Sequence, residues 1–204
     1  MIEFRDIALK FHEKQLFDGF NLTINDGEKV VLKAASGSGK STLLKMVLGF
    51  VKPDRGHVFI DGIQMSRQSI HHIRQTCGYV SQDVDFRNGP VEETIKAVFE
   101  YKANRHLTYD RDKLLHFFDE LDLERDSINK KVHQLSGGER QRLGFILCIL
   151  LERKIWLLDE VTSGLDSNLK DKIVNWVASS DKTVITISHD DVWLEDDRIK
   201  VVSW

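Results

Sequence analysis

Ser36-Gly37-Ser38-Gly39-Lys40-Ser41-Thr42 stands between an apolar run, Lys29-Val30-Val31-Leu32-Lys33, and a segment carrying Leu43, Leu44, Met46, Val47 and Leu48 at helical spacing. The order is strand, glycine-rich turn, helix. Glycines let the backbone fold around an anion so that successive N–H groups point inward, and the following helix adds its positive end. Lys40 supplies a point charge for β- and γ-phosphates, and the Ser41 hydroxyl suits a Mg²⁺ ligand. Ser36 through Thr42 are therefore candidate nucleoside-triphosphate ligands. A Gly/Ser turn that happens to carry a lysine is the plainer reading, but it gives no reason for the strand before and the helix after. The glycine that usually opens such a loop is replaced by Ala34, which is tolerable only if φ there is negative or the strain small.

At 204 residues, with 41% apolar and 30% charged, the chain has the make-up of a soluble domain able to bury a sizeable core. A net charge of −3 gives no bulk attraction to nucleic acid or anionic lipid, and no nucleic-acid partner is expected. Cys77 and Cys148 sit in apolar contexts without metal-like spacing, which predicts buried reduced thiols and a cytosolic compartment. Met1-Ile2-Glu3-Phe4-Arg5-Asp6 is too polar to open a signal peptide, and the longest apolar run, Leu143 to Leu151, is too short to cross a bilayer. Work at a membrane would need an embedded partner.

Ile2–Phe4, Phe20–Ile24 and His57–Ile60 read as short strands bounded by Asp-Gly and Pro-Asp-Arg-Gly turns, predicting an antiparallel layer. Tyr79-Val80-Ser81 reads as a short buried strand. Val91 to Leu123 looks helical, with Phe99, Leu114, Phe117, Phe118 and Leu121 at helical spacing. Ile155–Leu158 and Thr183–Ile187 are near-continuous apolar strands, which belong inside a parallel sheet covered on both faces. The expected fold is α/β, with a flanking antiparallel layer and a helical lobe inserted at about 83–135, all within one domain spanning 1–204.

Catalytic groups of open α/β sheets gather at the carboxyl ends of strands. Asp159 and Glu160 end one such strand, which suits Asp159 for Mg²⁺ and Glu160 for activating a water. Gln82, after another strand, could ligate the metal or order the water, and His189 could donate to a γ-phosphate; considered alone, each is an ordinary turn residue. In Leu135-Ser136-Gly137-Gly138-Glu139-Arg140-Gln141, Ser136 and Glu139 make a capping box for a helix running to Leu151. Gly137 and Gly138 are poor helix formers there, yet they permit close approach of a bulky anion. His71-His72, with no third ligand nearby, reads as a solvated helix face.

The ordered set of phosphate loop, Gln82, Leu135 to Gln141, Asp159-Glu160, Ser163-Gly164-Leu165-Asp166 and His189 resembles that of ABC transporter ATP-binding subunits over nearly the whole chain. The resemblance implies a P-loop NTPase core and an ATPase that uses Mg²⁺. It also implies a head-to-tail homodimer in which Ser136, Gly137, Gly138 and Asp166 of one chain reach ATP on the other, and separate transmembrane permease subunits. Phe11 falls where the family stacks an aromatic on adenine, although a core phenylalanine fits the spacing nearly as well. Ala34-Ala35, Val161 and Leu147 depart from the family pattern without removing a catalytic group.

The segment Phe86-Arg87-Asn88-Gly89-Pro90-Val91 to Ile95 resembles exporter-type cassettes, which implies export. A membrane partner is expected on a groove around Gln82 to Ile95, against exposed Phe86 and Val91, with the chain held peripherally on the inner face of the cell membrane. The plainer reading buries Phe86 in the helical lobe. The same resemblance admits two other functions: a soluble ABC ATPase handling nucleic acid or ribosomes, and a signalling cassette that uses ATP only to dimerise. The first would show coiled coils or a basic face, neither of which is visible.

Overall fold

The computed structural model describes residues 1–11 and 13–204. Strands β1 (Ile2–Phe11), β2 (Lys14–Ile24), β3 (Lys29–Lys33), β4 (Arg55–Ile60), β5 (Ile63–Gln64), β6 (Cys77–Val80), β7 (Ile155–Asp159), β8 (Thr183–Ile187) and β9 (Ile199–Ser203) form two sheets. The helices are α1 (Lys40–Val47), α2 (Ile70–Thr76), α3 (Val91–Phe99), α4 (Arg111–Glu120), α5 (Gly137–Leu150) and α6 (Ser167–Ser179).

One sheet is parallel, in the order β6-β7-β8-β3-β9; the other is antiparallel, in the order β2-β1-β4-β5. Every residue of β7 and β8 is buried, as expected of strands covered on both faces. Side-chain alternation divides β7 between two cores. Ile155 and Leu157 pack with α1 and the antiparallel sheet, whereas Trp156 and Leu158 pack with α3, α4, α5 and α6. The α/β core, the antiparallel layer and the helices between β6 and β7 all follow the sequence expectation.

Register then fixes the working edge. Asp159 of β7 pairs with Ile187 of β8, and Leu32 of β3 pairs with the same Ile187. The carboxyl ends of β6, β7, β8 and β3 thus lie side by side, and the residues that follow them are Gln82, Glu160, His189 and the phosphate loop.

Three expectations need correction. The helical reading of Val91 to Leu123 breaks between α3 and α4. Buried Asn104 turns its Nδ2 back to Val98 O (2.7 Å), and the Asp110 carboxylate starts α4 by accepting from Asp112 N and Lys113 N. The first two strands are long, because register shifts in β1 near Asp6, at φ 51°, let pairing resume beyond each irregularity. Finally, Val91 and Ile95 are fully buried, and Phe86 is half-buried against the helical core, so Val91 cannot face a partner. The first turn of α3 is inserted into the lobe, and Val91 N–H donates to Lys130 O (3.0 Å).

Cys77 and Cys148 are both free and buried, with burial raising their thiols to about 11 and about 12. Such thiols stay protonated and inert. His71 and His72 are exposed on α2.

Candidate active site

The loop after β3 turns twice through left-handed backbone, at Gly37 (φ 72°) and Gly39 (φ 102°). A side chain at Gly39 would bring its Cβ within 2.7 Å of Phe17 Cζ, so conformation and space both demand glycine there. Ala34 is outside the positive-φ residues, so the missing glycine leaves no strain. Lys40, 8% exposed, donates from Nζ to Ala34 O (2.7 Å) and Ala35 O (3.3 Å), closing the loop on itself.

Around this loop opens a cleft of about 790 Å³, the size of a pocket for a nucleotide-sized ligand. Ser36, Gly37, Gly39, Lys40, Ser41 and Thr42 line one wall; Gln82, Asp159, Glu160 and His189 line the other. Phe11 sits on the rim, 63% exposed, which excludes the core reading of that residue. The Ser38 hydroxyl oxygen is buried without a hydrogen-bond partner.

Ser41 Oγ donates to Asp159 Oδ1 at 3.5 Å across the strand ends. Burial raises the Asp159 carboxyl above its ordinary range, opposed by the Ser41 hydroxyl and by the Lys45 and Lys40 ammonium groups. Ser41, Asp159 and Gln82 are all oxygen donors. Among the described residues no cluster of three or more His, Cys, Asp or Glu is placed to hold a metal. That set fits Mg²⁺, which takes one or two protein oxygens and completes its shell with phosphate and water.

Glu160 has φ 56°, a left-handed conformation that costs a residue with a side chain about 1–2 kcal/mol. Its N–H donates to Ile187 O (2.9 Å), which holds the turn. Its carboxylate Oε1 lies 3.6 Å from His189 Nε2. Burial raises the Glu160 carboxyl too, against the opposing pull of His189. A raised carboxyl at a strand end, facing a phosphate loop, has the chemistry of a general base.

Sequence reasoning missed a second layer. Thr162, fully buried, donates to Asp190 Oδ2 (2.6 Å) and accepts from Trp193 Nε1 (3.0 Å), while Lys170 pairs with Asp190. Burial raises the Asp190 carboxyl, but the Lys170 and Thr162 hydrogen bonds outweigh it and hold the group below its ordinary range. This network ties the turn after Glu160 to the turn after His189. Buried Gln141 also bridges, with Nε2 donating to Ser81 O (3.3 Å) and Glu160 O (3.5 Å).

Other expected ligands stand apart. Ser136, Gly137, Gly138 and Asp166 do not line the cleft, although Ser163 and Gly164 do. The capping box is present: Glu139 N donates to Ser136 Oγ (3.2 Å) and Ser136 N to Glu139 Oε2 (2.7 Å). Asp166 caps α6 by accepting from Leu169 N (3.0 Å). Val161, where the family pattern has proline, is buried.

The family model for the ABC transporter matches residues 17–163. The chain is 32% identical over 201 residues to the energy-coupling factor transporter ATP-binding protein EcfA1 of Mycoplasmopsis synoviae, covering 93% of this chain and 74% of that protein. It is 33% identical over 178 residues to the mitochondrial iron-sulfur clusters transporter atm1 of Neurospora crassa, covering 85% of this chain but 25% of that much longer protein. Among solved structures, the dimeric bacterial ABC transporter cassette MJ0796 superposes with a TM-score of 0.81 at 29% identity, covering 100% of this chain and 94% of that one. An ATP-bound bacterial Atm1-family ABC exporter matches with a TM-score of 0.81 at 25% identity, covering 98% of this chain and 37% of that one. The chain belongs to the ABC transporter family, as an ATP-binding cassette that is an ATPase coupled to transport.

Proposed function

We propose that two copies of this chain, arranged head to tail, bind two ATP molecules between them and power separate transmembrane subunits. The observation that carries this reading is the distance of function within one chain. The cleft holds the phosphate loop and Glu160, while Ser136, Gly137 and Gly138 open α5 outside it. A Cβ built on Gly137 meets nothing within 4 Å, so bare backbone at a helix N-terminus is left open to an anion from elsewhere. The Ser136 hydroxyl accepts from Glu139 N, which keeps it at the same helix N-terminus. The cassette MJ0796 was solved as a dimer, which supports the same arrangement here.

In this reading the loop N–H groups and Lys40 hold the β- and γ-phosphates, and Phe11 on the cleft rim stacks on the base. Ser41, Asp159 and Gln82 would hold Mg²⁺, which when bound neutralises charge on the phosphates. Glu160 takes the proton of the attacking water, and His189 beside it donates to the γ-phosphate. The Thr162–Asp190–Lys170 network keeps His189 and Glu160 in register. Residues 83–135 form the helical subdomain that faces the membrane subunits. Export is the proposed direction, from the Phe86–Ile95 segment and the likeness to an Atm1-family exporter. No helix among the described residues is long and apolar enough to cross a membrane, so the chain would work at the inner face through its partner.

Glu160→Gln tests the reading. It should keep MgATP binding, slow hydrolysis by about 10²–10⁴, and trap an ATP-bound dimer visible by size-exclusion chromatography. A chain that stays monomeric with saturating MgATP, or that hydrolyses at the normal rate, defeats the proposal.

A further inference from the structure

A ring of inward-pointing N–H groups forces the neighbouring carbonyls outward, and each of those needs a partner. Lys40 Nζ takes Ala34 O and Ala35 O, Ser38 N–H also donates to Ala35 O (3.2 Å), and Leu43 N–H takes Gly39 O (3.0 Å). Of the carbonyls left, Gly37 O and Ser38 O are met from outside the loop. Lys14 Nζ donates to Gly37 O at 2.8 Å. Trp204 Nε1 donates to Ser38 O at 3.4 Å.

Each donor is placed by long-range architecture. Lys14 begins β2, paired across from Phe11, and it lines the cleft. Trp204 follows β9, whose Ser203 pairs in parallel with Lys33 just before the loop. Its ring lies against Phe20 (centroids 5.4 Å apart) and Phe17 (6.1 Å), and Phe17 is the ring that fills the space beside Gly39. The glycines at 37 and 39 carry the greatest backbone freedom in the loop, so donors fixed in two different sheets restrict the part most able to wander.

We infer that Lys14 and Trp204 form an outer clamp that holds the phosphate loop in its anion-receiving shape, acting as positioning residues for nucleotide binding. The clamp rests on the nucleotide-loop reading of Ser36 to Thr42. It acts by preorganisation: the loop carbonyls stay turned out, so the N–H groups need not be turned in when phosphate arrives.

The chain is titrated with MgADP in the unaltered, Lys14→Met, Lys14→Arg, Trp204→Phe, Lys14→Met/Trp204→Phe and Lys40→Ala forms, and steady-state ATPase is measured on the same set. Lys14→Met and Trp204→Phe should each weaken MgADP binding about three- to tenfold, the worth of one hydrogen bond, and raise KM more than they lower kcat. Lys14→Arg should restore affinity. Trp204→Phe keeps the ring against Phe17 and Phe20, so melting temperature should hold. Nucleotide should also change tryptophan emission in the unaltered chain and not in Trp204→Phe. A double variant that binds MgADP as tightly as the unaltered chain, while Lys40→Ala does not bind, overturns the clamp. A Lys40→Ala chain that binds normally overturns the nucleotide-loop reading instead.

Discussion

Helices α1 and α5 both begin at a serine- and glycine-rich turn, and their first turns are built in opposite ways. The N-cap of α1 is Gly39, which has no side chain to offer; its first residue is Lys40, and no acidic residue follows in the first turn. A cation at a helix N-terminus opposes the macrodipole by about 0.3–1 kcal/mol, and the orphan N–H groups there go uncapped by any side chain. In α5 the Ser136 hydroxyl and the Glu139 carboxylate cap each other's backbone, worth about 1 kcal/mol. The first helix start is electrostatically unfinished and wants an anion supplied to it. The second is complete in itself and leaves Gly137 open. Under the proposed function, one end grips a ligand and the other is pressed against one.

The largest expected effect lies at α1. Lys40→Ala should cut nucleotide binding and turnover by about 10²–10³, the cost of losing a donor aimed at developing charge. Secondary structure by circular dichroism should be unchanged, since the bonds lost are those from Lys40 Nζ to two loop carbonyls. Near-normal turnover would break the comparison at its first term.

Next comes α5. Gly137→Val adds a side chain where the chain itself leaves open space, so folding and ATP binding by a single copy should survive. ATP-dependent dimerisation should be lost and hydrolysis should fall about 10²-fold, because the added methyls hold off a phosphate that needs 2.7–3.1 Å donor distances. Analytical ultracentrifugation with MgATP decides it, and an undiminished dimer would show that α5 does not meet the nucleotide.

The smallest effect separates the two helix starts by pH. Hydrogen bonds from the Ser136 backbone and side chain hold the Glu139 carboxyl below its ordinary 4.5, ahead of the opposing effect of burial. A lowered folded pKa means the capping contribution is fully present above about 4.5 and drains away as pH falls through the lower folded value. Glu139→Gln should therefore flatten that part of the acid-stability curve while leaving stability near neutral pH within about 1 kcal/mol. No carboxylate caps α1, so an equal acid response in the variant would mean that the acid-sensitive group lies elsewhere.

What could be read from the chain was whatever is contiguous. Gly37 and Gly39 announce a turn because only glycine takes such φ values without strain, and Ser136 with Glu139 announces a cap because the bonding partners are three residues apart. Asp159 and Glu160 could be placed because a buried parallel strand must end somewhere, and ligands gather at that end. The Thr162–Asp190 bond gave no such signal, since its partners are 28 residues apart. Nor did Trp204, which meets Ser38 across 166 residues. Val91 departs from its expected exposure for a related reason. Its apolar side chain at a helix start is compatible with exposure or insertion, and only the packing of α3 into the lobe chooses.

The sequence by itself determined the phosphate loop, the acidic strand end, the capped start of α5 and the two-sided burial of β7 and β8, because each rests on dihedral preference, side-chain alternation or bonds spanning a few residues. Only the tertiary structure decided that four strand ends share one edge, that Glu160 is turned through left-handed backbone, that Lys14 and Trp204 reach the loop, and that Gly137 does not line the cleft of its own chain. Those outcomes depend on which strand lies beside which, and strand order follows from burying two separate cores against one sheet, a condition no short stretch of residues carries.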